Sequence, residues 1–210
     1  MLSLSTLAQI CEDVYSPAQA NNPKAVSLRS WQRFDRTHAN FFCSFYKSPD
    51  WGVFAIRGTE LSDSGDVKED LATWGAGAPL RSREDSVGWC KAYMPYAPSM
   101  LVCGHSLGGA YSQYVGAMLG LQSITFNAPG LFTDVYNKVT MQGKGKTHMN
   151  FRHPTDVVSK FGTTLGPQYD LNMPITLDPR VAHAMINIVD ALQGTSGPPS
   201  DFAVMQSVYA

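Results

Sequence analysis

Residues 100–120 read MLVCGHSLGGAYSQYVGAMLG. Met100 to Cys103 is a short, continuous apolar run that stops at Gly104, the pattern of a strand at the centre of a sheet covered on both faces. Beyond it, Leu107, Ala110, Tyr111, Tyr114, Val115, Met118 and Leu119 fall on one helical stripe, and Gly120 is placed to end that helix. Between strand and helix lies Gly104-His105-Ser106-Leu107-Gly108, a G-x-S-x-G pattern. The chain must turn sharply there, and two residues without a Cβ let strand and helix approach closely. Ser106 then sits at the tip of the turn with its hydroxyl exposed at a helix N-terminus. The helix dipole and the Leu107 N–H favour negative charge at that point. An ordinary Gly-rich turn is the alternative, and the flanking strand and helix weigh against it.

Working outward, the chain opens with an amphipathic helix in which Leu4, Leu7, Ile10, Cys11 and Val14 recur at helical spacing. Residues 20–30 read as loop. Phe41 to Tyr46 and Trp51 to Arg57 are strand-like and flank the turn signal Ser48-Pro49-Asp50, so a hairpin is expected. The segment from Leu61 to Ser86 reads as an irregular excursion with at most one helical turn. Ser123–Phe126 and Met149–Arg152 are two more short strands. Asp178-Pro179 starts a helix, with Asp as cap and Pro in the first turn, and Val181, Met185, Ile188, Val189 and Leu192 form its apolar face. Strands alternating with helices predict an α/β fold, a mainly parallel central sheet with helices on both faces. One domain spans 1–193, and residues 194–210, rich in Gly, Pro and Ser at their start, read as a loosely ordered tail. Sites in such sheets form outside the carboxyl ends of the strands.

A nucleophilic serine needs a base, and the base needs an orienting acid. On α/β-hydrolase folds they follow in the order Ser, Asp or Glu, His. The downstream histidines are His148, His153 and His183. His148 and His153 flank a strand and read as solvated or structural, whereas His183 precedes the last apolar helix. Asp156 lies just beyond the strand ending at Arg152, where the acid belongs. Asp134, Asp170, Asp178 and Asp190 are alternatives, with Asp178 resembling a cap and Asp134 a helix start. Acyl transfer also needs donors aimed at a developing oxyanion. The N–H of Leu107 is one; Thr59, at the end of the strand Val53–Arg57, offers a second through its backbone or hydroxyl. A plain strand-ending turn is the competing reading of Gly58-Thr59.

Composition narrows the classes. A net charge of -1 gives no reason to expect nucleic acid, and Lys144-Gly145-Lys146 is the only dense basic spot. The first residues lack a basic n-region and a continuous apolar core, so no secretion signal is expected. No stretch approaches the roughly 18 consecutive apolar residues of a membrane span. Cys11, Cys43, Cys90 and Cys103 show no ligand spacing and read as buried free thiols. These features lead to an expected cytoplasmic location, with association with a virus particle as the second reading. No metal or organic cofactor is expected, and oligomeric state is left open.

Four segments together resemble the class 3 (fungal-type) lipases: VFAIRGT at 53–59, DVKEDL at 66–71, GHSLGGA at 104–110 and FRHPTDVVSKF at 151–161. The likeness runs from about Ala8 to Leu192. It implies an α/β-hydrolase fold in compact form, with catalytic residues Ser106, Asp156 and His183 and an oxyanion hole from Thr59 and Leu107. Two departures stand out. Val157-Val158 replaces the family's Val-Pro pair, and the helix that usually precedes the elbow strand must be short or missing, because Pro95 and Pro98 interrupt the approach to Met100. LATWGAGAPL at 71–80 is apolar and Gly-rich, and reads either as a small mobile flap that touches lipid surfaces or as a packed loop around Trp74.

The resulting expectation is a carboxylic ester hydrolase, a lipase, esterase or phospholipase acting on an ester or lipid substrate. An acyltransferase or thioesterase on the same site, and a non-catalytic lipase-like binding module, are the alternatives.

Overall fold

The computed structural model describes residues 2–16, 28–38, 41–58, 80–143 and 146–194. Among these residues, seven strands form one sheet in sequence order. They are β1 (Gln32–His38), β2 (Phe41–Lys47), β3 (Trp51–Ile56), β4 (Ser99–His105), β5 (Gln122–Phe126), β6 (His148–Arg152) and β7 (Gln168–Asp170). β1 to β3 form an antiparallel meander, and from β3 onward every neighbour pairs in parallel. The α/β architecture with a mostly parallel sheet is therefore present, and it brings the carboxyl ends of β3 to β6 together at one edge.

Among the described residues, six α-helices surround the sheet: α1 (Leu4–Asp13), α2 (Leu80–Tyr93), α3 (Leu107–Leu119), α4 (Thr133–Gln142), α5 (Pro179–His183) and α6 (Met185–Gly194). The period-two alternation of the strands decides which helices each face receives. Val53, Ala55, Leu101 and Cys103 pack with Leu7, Ile10 and Cys11 of α1 and Ile188 of α6. Phe54, Ile56 and Val102 point the other way, toward Cys90 of α2, Tyr111 and Val115 of α3 and Val139 of α4. Burying each large apolar side chain in these two layers contributes about 2 kcal/mol. All four cysteines are buried free thiols.

Three features differ from the sequence reading. First, α2 is a helix of 14 residues, neither short nor missing. Its buried positions include Arg83, Ser86 and Cys90, polar or small, while Val87, Trp89 and Tyr93 pack on the core only partly buried, so the hydrophobic period is weak. Secondly, β1 and β7 were not foreseen. β1 reads QRFDRTH, and its charges are explained by Arg33, which is fully buried and donates to the Asp13 carboxylate at 2.9 Å and to Asp35 at 2.8 Å. Tyr46 also donates to Asp13, at 2.8 Å. This cluster fixes the end of α1 against the meander. Thirdly, the expected helix from Asp178 onward is broken. Asp178 does cap it, accepting the Arg180 N–H, but the backbone turns extended at Ala184 (φ -63°, ψ 128°) before α6 resumes.

Candidate active site

The site is built on the joint between β4 and α3. A Cβ on Gly104 would lie 2.4 Å from the Gly108 carbonyl oxygen, and one on Gly108 would lie 2.1 Å from that of Ile56. Only glycines allow β3, β4 and α3 to meet so closely. Ser106 occupies the turn with φ 56° and ψ -134°, a conformation that costs a non-glycine residue about 1–3 kcal/mol. Backbone bonds hold it there: the Ser106 N–H donates to the Phe126 carbonyl at 3.1 Å, and the Gly109 N–H donates to the Ser106 carbonyl at 2.9 Å. The side chain is consequently presented outside the carboxyl end of the sheet.

The loop after β6 and the end of α5 converge on it. Ser106 Oγ lies 2.7 Å from His183 Nε2, and His183 Nδ1 lies 2.9 Å from Asp156 Oδ1. A carboxylate accepts only, so Nδ1 carries the proton and Nε2 is left to accept the serine hydroxyl. Asp156 and His183 are buried, while Ser106 is partly open. Burial pushes the Asp156 carboxyl upward. The hydrogen bond and charge of His183 and the bonds from Ser159 outweigh that and hold it below the ordinary carboxylate range. Its oxygens also accept the Val158 N–H at 3.3 Å and the Ser159 N–H at 2.9 Å. Val158 and Ser159 therefore hold the Asp156 carboxylate through backbone donors.

Leu107 is the first residue of α3, where N–H groups have no helical carbonyl behind them. Thr59 lies outside the described residues, as do the 66–71 segment, residues 71–79 of the flap and the 195–210 tail. Gly58 is described, and a Cβ on it would come 2.9 Å from that of Ser106. The end of β3 therefore borders Ser106.

The other candidates are engaged elsewhere. His148 is buried with Nδ1 2.7 Å from Ser123 Oγ, and burial lowers its pKa to about 4. His153 Nε2 donates to the Pro174 carbonyl at 3.0 Å. Asp170 pairs with Arg152 at 2.6 Å, Asp178 caps α5 and Asp134 sits in the first turn of α4. The reading of His148 as solvated or structural resolves to a buried, hydrogen-bonded one.

The loop carrying Asp156 and the segment leading into α5, which ends at His183, are joined by the Thr155 hydroxyl, which donates to the Thr176 carbonyl at 2.8 Å. They turn apolar groups outward: Ile175 is 68% and Leu177 95% exposed, and Val157 and Val181 are also open to solvent. A separate groove between α2 and the outer strands, lined by Phe34, Phe45, Trp89 and Tyr93 with Arg36 and Lys47, shares no residue with the triad. Among the described residues no three His, Cys, Asp or Glu side chains could hold a metal ion, and no helix is long and apolar enough to cross a membrane.

Sequence reasoning missed three groups around Ser106, Asp156 and His183: the partly buried Tyr15 and the buried His105 and Asn127. Only the positive φ of Asn127 (45°) marks it in the backbone, and no local pattern points to any of them.

No protein-family model matches the chain, and no curated protein matches it. Among solved structures, the native Rhizomucor miehei lipase propeptide complex is similar at 15% sequence identity with a TM-score of 0.42. The match covers 74% of this chain and 61% of that one.

Proposed function

We propose that the protein is a serine hydrolase of carboxylic esters on an α/β-hydrolase fold, working through an acyl-enzyme. The observation that carries this reading is the continuous bond path from Ser106 Oγ to His183 Nε2 and from His183 Nδ1 to Asp156. In the first half-reaction Ser106 Oγ bonds to the ester carbonyl carbon while its proton passes to His183 Nε2. The Leu107 N–H, with Thr59 as its partner, stabilises the oxyanion. The C–O bond to the alcohol then breaks, and His183 returns the proton to that oxygen. In the second half-reaction water adds to the acyl carbon, giving its proton to His183, and Ser106 leaves with that proton as the carboxylic acid departs. Asp156 stays ionised throughout and stabilises the imidazolium. The exposed Ile175, Leu177 and Val181 beside these loops favour a substrate with an apolar acyl chain.

The test is hydrolysis of p-nitrophenyl esters of graded chain length by the protein and its Ser106→Ala variant. Turnover that disappears in the variant, with the fold unchanged by circular dichroism, is the expected outcome. Equal turnover by both proteins, or none by either, overturns the reading. Preferential acyl transfer to an added alcohol over water would make the enzyme an acyltransferase on the same site.

A further inference from the structure

We infer that Tyr15, His105 and Asn127 are positioning residues, a hydrogen-bonded relay that holds the backbone of His183 from two sides and ties it to the end of β3. The functional part of this inference rests on the acyl-transfer reading above; its structural part does not.

The starting observation is the broken helix. In a continuous helix the carbonyl of His183 would accept the N–H four residues on. Here it accepts two side chains instead, His105 Nε2 at 2.8 Å and Asn127 Nδ2 at 3.1 Å. Asn127 Nδ2 also reaches the Ala182 carbonyl at 2.9 Å. The chain leaves helical geometry at the next residue, Ala184. Side chains on the ends of β4 and β5 have thus replaced the helical ladder at the residue whose ring faces Ser106.

The proton arrangement follows from the partners. Tyr15 Oη accepts the Gly58 N–H at 3.1 Å, which leaves its own proton for His105 Nδ1 at 2.9 Å. His105 therefore carries its proton on Nε2 and donates it to the His183 carbonyl, a tautomer assigned from the network. Burial and the neighbouring His183 lower the pKa of His105 to about 3, so it stays neutral and keeps this role. Its ring lies 4.8 Å from that of His183, centroid to centroid. His105 is also the residue that the G-x-S-x-G pattern leaves open.

Asn127 closes the other side. It is fully buried at φ 45°, a left-handed backbone that favours glycine. Its Oδ1 accepts the His153 N–H at 2.8 Å, at the start of the loop that carries Asp156. Glycine would relieve the backbone but would lose every one of these bonds. One side chain therefore spaces the base loop from the acid loop, while Tyr15 and His105 space the base from the oxyanion side.

The experiment uses Tyr15→Phe, which removes a single hydroxyl, and Asn127→Gly, which keeps the backbone. Both are compared with the parent protein on a short p-nitrophenyl ester and by imidazole nitrogen NMR of His183. The expected result is a kcat roughly 10- to 100-fold lower in each variant with KM within twofold, since small misplacements of a reacting group act at that scale. The His183 ring should change from a single Nδ1–H tautomer to a mixture. A kcat within twofold of the parent in folded Tyr15→Phe, with the tautomer unchanged, overturns the relay. The tautomer decides it even if Ser106-dependent turnover is absent in the parent, the result that overturns the acyl-transfer reading instead.

Discussion

The imidazole of His183 has a direction because Asp156 holds one of its nitrogens and not the other. Asp156→Asn tests this at the scale of a single atom. The amide oxygen can still accept the Ser159 N–H, but its NH2 takes the place of the oxygen that meets His183 Nδ1 and the Val158 N–H, and it favours the tautomer with the proton on Nε2. That form cannot take the Ser106 proton. We expect kcat on a short ester to fall by about 10³ to 10⁴-fold, with thermal unfolding shifted by only a few degrees. A loss below tenfold would mean that another carboxylate orients the base. The same contrast explains what was legible at this scale. Ser106, Asp156 and His183 could be named because each sits at a fixed place relative to a strand or helix that its neighbours announce. Tyr15, His105 and Asn127 could not, because their partners lie 90, 78 and 55 or 56 residues away for the bonds to His105, His183 and the 182–183 carbonyls. No short-range spacing encodes such a meeting.

Elements in this chain were legible where burial is one-sided and apolar. β4, α3, β5 and β6 carry continuous or periodic hydrophobic signals, and the structure places strands and helix where those signals lie. α2 escaped because its buried face holds Arg83, Ser86 and Cys90, and β1 because its inward group is an arginine. The split between α5 and α6 escaped because its cause is the capture of a carbonyl by distant side chains. Two glycine substitutions should separate the joints that determine the fold from those that merely tolerate it. Gly108→Ala drives a methyl to within 2.1 Å of the Ile56 backbone oxygen, which cannot move without opening β3. Urea unfolding should show a loss of about 3 kcal/mol or more, or no folded protein. Gly88→Ala, inside α2, meets nothing within 4 Å and should stabilise by about 0.5–1 kcal/mol. Equal effects of the two would refute the close approach at the elbow.

Across the whole molecule, the sheet is gripped at one end by the Arg33–Asp13 pair and near its centre and far side by buried neutral histidines. Arg33 and Asp13 are both almost inaccessible and paired at 2.9 Å. Asp13→Ala removes one of the two carboxylates that hold Arg33, leaves Asp35 as its remaining ion pair and takes the acceptor from the Tyr46 hydroxyl, and it should cost about 1–3 kcal/mol, read from the urea midpoint. The histidines give the molecule its acid sensitivity. In the unfolded chain His105 and His148 titrate at their ordinary value of 6.5, whereas in the folded protein burial lowers them to about 3 and about 4. Above pH 6.5 both states are neutral at these rings, and folding gains or loses nothing from them. As pH falls below 6.5 the unfolded chain takes up two protons that the native state refuses, so stability declines. The slope is roughly 1 kcal/mol per pH unit for each histidine well inside its window. The loss from His148 ends near pH 4, while that from His105 continues toward pH 3. There the depressed carboxyl of Asp156 begins to add to it, because stability from a lowered carboxylate is lost as pH falls. The measurement is the free energy of urea unfolding at intervals from pH 8 to 4.5, for the parent and for His148→Gln. The variant should be less steep by the equivalent of one proton between pH 6 and 4.5, whatever its stability at pH 8. Parallel curves would mean that His148 titrates in the folded protein as it does in the unfolded chain.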